Sequence, residues 1–199
     1  GYNPVTGYFY APRVAVKDVP ENPTPADVRD AQELIVGKML GDFPWKSSSD
    51  LAHYVGSLFV PMLRAMISDP TPLWCVTATN PGSGKSYLTG IHSTLYGAKT
   101  ASWGNDNNEQ QKIITSVLMG SGSPVAVFDN VPSGHVLRYP CMSELITAKT
   151  WSGRVLGKSE MASIPNNVVW FVNGNNLAVG DDLARRTLFC KLDPDVRPD

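Results

Sequence analysis

The chain has 199 residues, 42% of them hydrophobic and 18% charged, with a formal net charge of -1 at pH 7. That length fits one domain with a small appendage, and the balanced charge excludes a globally cationic nucleic-acid coat, so any such contact must be local. Three widely spaced cysteines (Cys75, Cys141, Cys190) without a CxxC pair argue against a disulfide framework or zinc site and fit a reducing compartment. The longest apolar stretches fall far short of the ~20 residues that span a bilayer, which predicts no membrane partner. No cationic segment followed by an apolar core stands at Gly1 onward, so no secretory leader is expected. A start at Gly1 and a charged, Pro-containing end suggest a piece of something larger.

Residues 1–24 are rich in Pro, Gly and aromatics (Tyr8, Phe9, Tyr10) and read as an extended lead-in. Residues 25–70 read as a helical N-terminal portion. Thr24-Pro25 supplies a capping hydroxyl and a first-turn proline, and Ala31, Leu34, Ile35 and Leu40 recur at helical spacing. A second helix starts near Ser49 and runs through Leu51, Val55, Leu58 and Leu63 to Ile67, with Pro61 predicted to kink it. Both helices are expected to pack against the core. Residues 71–199 change pattern: apolar runs at Leu73–Ala78, Pro124–Phe128, Val168–Val172 and Thr187–Leu192 alternate with helical stretches. Such runs suit strands of a parallel sheet covered on both faces, so the fold class is α/β, a parallel sheet flanked by helices.

Asn80-Pro81-Gly82-Ser83-Gly84-Lys85-Ser86-Tyr87 lies between the first run and its helix. The pattern is a phosphate-binding (P-loop) motif. Its glycines turn backbone N–H groups toward phosphate oxygens, and a helix N-terminus adds positive potential. Lys85 is placed at the β- and γ-phosphates of ATP and the Ser86 hydroxyl on Mg²⁺. Thr79 stands where a glycine usually opens the motif. The second run ends at Asp129, where a carboxylate anchors the metal, and the third at Asn173, where an amide orients water or senses the γ-phosphate. Asn175 and Asn176 read as turn residues.

Two further groups leave alternatives open. Arg185 and Arg186 either pair with Asp181 and Asp182, or one of them serves as a finger to ATP on a neighbouring subunit. Thr150 to Lys158 suggests an exposed hairpin in which Arg154 and Lys158 contact a nucleic-acid backbone, or are incidental surface charge; Trp151 stacks or packs. The three histidines have no metal-ligand spacing.

With "FPW" (43–45), "NPGSGKS", "VFDN" (127–130), "RVLGKS" (154–159), "NGNN" (173–176) and "GDDLARRTLFCKLD" (180–193), residues 43–199 resemble the AAA+ ATPase domain of superfamily 3 helicases. The resemblance is to primase-helicase replication proteins of phages, plasmids and integrated elements. It implies a cytoplasmic ring, commonly a homo-oligomeric hexamer, with ATP and Mg²⁺ between subunits and single-stranded DNA in the channel. It also implies Arg185 or Arg186 as a finger in trans, and Arg154 and Lys158 as channel contacts. Many AAA+ enzymes place a catalytic Glu after the metal-binding Asp; here that residue is Asn130. Glu109 is the candidate replacement, since a similar Glu and Lys recur at this place in the proteins resembled, and Glu144 is second. The expected activity is an ATP-driven DNA helicase or translocase. The alternative is an ATP-binding DNA-loading or assembly module with weak hydrolysis; a small-molecule P-loop kinase is disfavoured because no lid region stands out.

Overall fold

The computed structural model describes residues 2–4, 8–9, 20–120, 122–155 and 160–196. The chain divides into two compact units, Gly1–Asp42 and Phe43–Asp199. In the first, β1 (Tyr2–Asn3) pairs antiparallel with β2 (Tyr8–Phe9), and Tyr10 lies outside the described residues. Then α1 (Pro25–Gln32) begins where Thr24-Pro25 predicts. Thr24 and Asp27 form a reciprocal capping box, with the Thr24 N–H 2.8 Å from an Asp27 carboxylate oxygen. The helix continues into a π-helical segment, Glu33–Met39. The expectation that this first helix packs against a core is met only at its end: no residue of either segment is buried, but Leu40, the next residue, is fully buried. The only large aliphatic side chain of α1, Val28, is 56% exposed, too little apolar surface to seat a helix.

The second unit opens with Phe43-Pro44-Trp45. Trp45 bridges antiparallel to Leu192, and the Asp193 N–H bonds the Pro44 carbonyl at 2.8 Å. Next, α2 (Ser48–Leu63) is capped by Ser47 Oγ, which accepts the Asp50 N–H. There follow β3 (Leu73–Ala78), α3 (Lys85–Tyr96), β4 (Lys99–Ser102), α4 (Asn107–Gly120), β5 (Val125–Val131), β6 (Val136–Leu137) and α5 (Pro140–Leu145). Then come β7 (Thr150–Arg154), β8 (Met161–Pro165), β9 (Val169–Asn175), β10 (Ala178–Val179), α6 (Asp181–Ala184) and β11 (Thr187–Leu192). Four strands coincide with the four apolar runs. The fifth, β4, is a polar edge strand (Lys-Thr-Ala-Ser) that hydrophobicity did not mark.

The central sheet has the order β11-β3-β9-β5-β4, and every neighbouring pair is parallel. One face carries Cys75, Phe128, Trp170 and Val172, packed with Ile114 and Val117 of α4 and Met142 and Leu145 of α5. On α3, His92 lies 4.4 Å from the Phe171 ring, and Phe171 stacks on Trp74. Pro61 lies buried within α2, where its missing N–H strips the Ser57 carbonyl of a helical donor. His92 Nε2 sits 3.4 Å from that oxygen and 3.2 Å from Ser57 Oγ. The imidazole is buried in consequence, and desolvation lowers its pKa.

Parallel strands place the loops after β3, β5 and β9 at one carboxyl-terminal edge, where open α/β sheets bind ligands. Close packing there has a test. A Cβ on Gly174 of β9 would sit 2.6 Å from the Val131 carbonyl oxygen, a backbone atom of the paired strand. Gly174→Ala is therefore expected to lower stability by about 1–3 kcal/mol, the usual cost of overpacking. Denaturant titration reads this directly, and an unchanged midpoint would mean that the two strands separate freely.

Candidate functional site

The candidate phosphate-binding loop leaves the buried end of β3 at Ala78 and enters α3 at Lys85. Gly82 (φ 74°) and Gly84 (φ 93°) both occupy left-handed backbone, which glycine adopts without a Cβ penalty. Gly84 has a second reason to be glycine. Its Cβ would lie 3.0 Å from the Phe43 ring, so the "FPW" stretch closes one wall of the loop. Asn176 closes another: its N–H bonds the Ala78 carbonyl at 2.9 Å and its Nδ2 donates to the Thr79 carbonyl at 3.1 Å. Next to these walls is a cavity of about 140 Å³ lined by Lys46, Thr79, Asn176, Lys191 and Asp193.

Lys85 folds back over the loop, its Nζ donating to Ser83 Oγ at 3.0 Å and to the Asn80 carbonyl at 3.3 Å. It has no carboxylate partner among the described residues, and desolvation pulls its ammonium below the usual lysine pKa. A partly desolvated cation with neutral neighbours favours an incoming anion. Ser86 and Tyr87 are exposed, Tyr87 by 80%.

Asp129 stands at the tip of β5, half-buried, level with Ser102 of β4 across the sheet. A cleft of about 420 Å³ opens against it, lined by Thr100, Ser102, Trp103, Asn130 and Pro132. Asn130, at the position of the missing Glu, has φ 54°, and the β5–β9 register shifts between Phe128 and Val131. Asn tolerates this left-handed backbone far better than most side chains, which gives a conformational reason for Asn here. Its N–H is 3.0 Å from both Asp129 Oδ1 and Asn173 Oδ1. Asn173 is 2% exposed, and its Nδ2 donates to Thr89 Oγ1 on α3 at 3.2 Å. Asn175 remains within β9 and only Asn176 (φ 52°) turns, so the turn begins one residue later than the sequence suggests.

The ligand set fits a hard divalent cation. Ser86 is exposed, its hydroxyl without a hydrogen-bond partner among the described residues, and Asp129 has one carboxylate oxygen committed to a backbone N–H, leaving oxygen donors of the type Mg²⁺ takes.

No hydrogen bond or ion pair among the described residues joins the other candidates to this loop. Glu109, in the first turn of α4, is exposed and ion-paired to Lys112 at 3.3 Å; Glu144 is exposed on α5. Arg185 and Arg186 both pair with Asp182, Arg186 Nε at 3.7 Å, at the opposite edge of the sheet. The Arg186 carbonyl accepts the N–H of Leu73, the first residue of β3, whereas Lys85 follows its last. A six-residue strand separates the two, roughly 20 Å at ~3.3 Å per residue. Arg154 ends β7 with its side chain exposed, and Lys158 lies outside the described residues.

Trp151 packs and does not stack on a ligand. It is 1% exposed and its Nε1 donates to Thr115 Oγ1 of α4 at 2.9 Å. Gly153 permits this docking, since a Cβ there would overlap Thr115 Oγ1. Between α4 and the hairpin a cavity of about 550 Å³ brings Arg154 and Lys112 to one wall system with Asn108 and Gln111. Sequence reasoning missed Thr89; its only local signal was its place four residues after Lys85, one helical turn along the same face.

A five-stranded parallel sheet flanked by helices, with a glycine-rich loop opening the helix after β3, defines the class of protein. Among solved structures, this α/β fold is similar to a JCV helicase crystallised with N-(4-(2-(thiazolo[5,4-c]pyridin-2-yl)phenoxy)phenyl)acetamide bound. The TM-score is 0.51 and the sequence identity 16%, with 85% of this chain and 51% of that chain covered. This chain thus spans about half the length of that helicase, and at such identity the likeness carries the fold. No family model matches the chain, and no curated protein matches it.

Proposed function

We propose that the chain is an ATP-hydrolysing P-loop domain of AAA+ type that works as a ring on single-stranded DNA. One observation carries the reading: a desolvated lysine without a carboxylate partner among the described residues, folded over a left-handed glycine loop at a helix N-terminus. That arrangement offers phosphate a cation, free backbone N–H groups and the helix dipole together. Lys85 would then hold the β- and γ-phosphates, the Ser86 hydroxyl and Asp129 would hold Mg²⁺, and the metal would neutralise charge developing between those phosphates. The loop residues Asn80 to Tyr87 form the nucleotide-binding stretch. The likeness to the JCV helicase supports the helicase reading through the fold. Hexameric assembly and origin in a mobile element rest on the sequence resemblance.

The remote arginines suit a finger acting on a neighbouring copy, because within one subunit a strand length separates them from Lys85. Arg154, with Lys158, supplies the nucleic-acid contact in this reading, and Lys112 shares the cavity with Arg154. ATP turnover measured with and without single-stranded DNA tests the proposal: stimulation by DNA supports a motor. Tight ATP binding with negligible turnover in assembled particles would favour the loading-module alternative, to which Asn130 points.

Glu109 is proposed as the base that replaces the missing Glu, released from Lys112 to reach the attacking water. Glu109→Gln is expected to reduce turnover by about 10²–10⁴-fold with ATP binding kept, the scale of general-base catalysis. A near-normal rate leaves Glu109 as a surface ion-pair partner and shifts the role to Glu144.

A further inference from the structure

Thr89 and Asn173 are both at least nine-tenths buried and are joined by one hydrogen bond across the sheet–helix interface. Followed outward in each direction, that bond reaches the two halves of the candidate site. On one side, Thr89 Oγ1 lies 3.4 Å from the Lys85 carbonyl and 3.3 Å from the Ser86 carbonyl, so its single proton goes back to the first turn of α3. On the other side, Asn173 Oδ1 accepts the Asn130 N–H, the same N–H that faces Asp129 Oδ1. The Thr89 hydroxyl thus accepts one bond from Asn173 and spends its only proton on α3. The Asn130 backbone it reaches is held at φ 54°, a conformation whose cost must be met by surrounding contacts.

We infer that Thr89 and Asn173 form a buried bracket that fixes the spacing and orientation of Asp129 relative to Lys85 and Ser86. Thr89 is a positioning residue, acting through Asn173 and the Asn130 backbone. Asn173 is committed by both ends of its amide, with one Nδ2 proton left over, so its main work is to hold the β5 tip. The metal ligands Ser86 and Asp129 sit on different elements, one on α3 and one on β5, and among the described residues the bracket is the side-chain link between those elements that ends on both. Its effect on turnover rests on the ATPase reading above; its effect on the β5 tip does not.

The test separates the two. Thr89→Val keeps the shape and removes the hydroxyl, whereas Thr89→Ser keeps the hydroxyl. In nucleotide-free protein, hydrogen exchange at the Asn130 amide is expected to quicken by about tenfold in the Val variant, the scale of one buried hydrogen bond, and to stay near wild type in the Ser variant. With ATP, the Val variant should need more Mg²⁺ for half-maximal turnover and show a lower kcat, while binding of ATP without Mg²⁺ persists through Lys85. Equal impairment by Val and Ser, or unchanged Asn130 exchange in Val, overturns the bracket. If wild-type protein binds no ATP at all, the ATPase reading fails, and the exchange result still decides the bracket.

Discussion

Replacing Lys85 by Met is expected to lower ATP turnover by at least about 10²–10³-fold, the effect of deleting one preorganised charge from a phosphoryl-transfer site. Methionine keeps the aliphatic stem, so the loop retains most of its packing. Two hydrogen bonds from Nζ are lost, one to the exposed Asn80 carbonyl and one to Oγ of the buried Ser83, whose hydroxyl keeps its own proton to donate. No carboxylate is orphaned by the change, because Lys85 has no ion-pair partner among the described residues. Thermal unfolding should therefore move little while turnover collapses. The sign follows from the electrostatics: desolvation already disfavours the free ammonium, and bound phosphate would repay that cost. Turnover within a few-fold of wild type would remove the phosphate site from the account.

The parts of this site that were legible in the sequence are those whose signal is local. The glycine loop declares itself in seven consecutive residues, and β3, β5 and β9 declare themselves because strands buried on both faces need apolar runs, whereas β11, at the sheet's edge and carrying Lys191, is marked only by its apolar majority. The edge strand β4 escaped notice because one side of it faces no neighbour, and Lys99 and Thr100 are exposed. Asn130 was visible as a departure but not as a conformation: a positive φ and a register shift arise from pairing β5 with β9, which no window around residue 130 contains. The bracket was illegible for the same reason, since Thr89 and Asn173 are 84 positions apart. The sequence offers Trp151 two roles, and the contact with Thr115, 36 positions away, decides for packing. In α1 the local rules worked at the cap and failed at the face, because capping is a contact three residues long and burial is not.

Replacing Arg185 and Arg186 together by Ala is expected to reduce hydrolysis in assembled particles by about 10³–10⁵-fold, as for other arginine fingers, while ATP binding by a single subunit stays nearly intact. The geometry gives the second half of that expectation. Both arginines stand at the amino-terminal edge of the sheet, next to Leu73, and the loop with Lys85 stands at the other edge. In the lone chain Arg185 pairs with Asp182 in an exposed ion pair of the kind worth at most about 1 kcal/mol, and Arg186 Nε stands buried 3.7 Å from the same carboxylate without a hydrogen bond among the described residues. A phosphate from a neighbouring copy would compete for them easily, so Asp182→Asn should leave assembled turnover near wild type. Mixing the double mutant with Lys85→Met protein gives the sharper result. Each carries one sound half of an interface, so mixed particles contain some composite sites with both halves intact, and part of the turnover should return. If mixed particles form and no activity returns, mixing each mutant with wild type distinguishes arginines acting within their own subunit from a ring that needs every site. Normal hydrolysis by the double mutant in assembled particles would sink the finger outright, and would return Arg185 and Arg186 to the role they show in the isolated chain, partners of Asp182 at the head of β11.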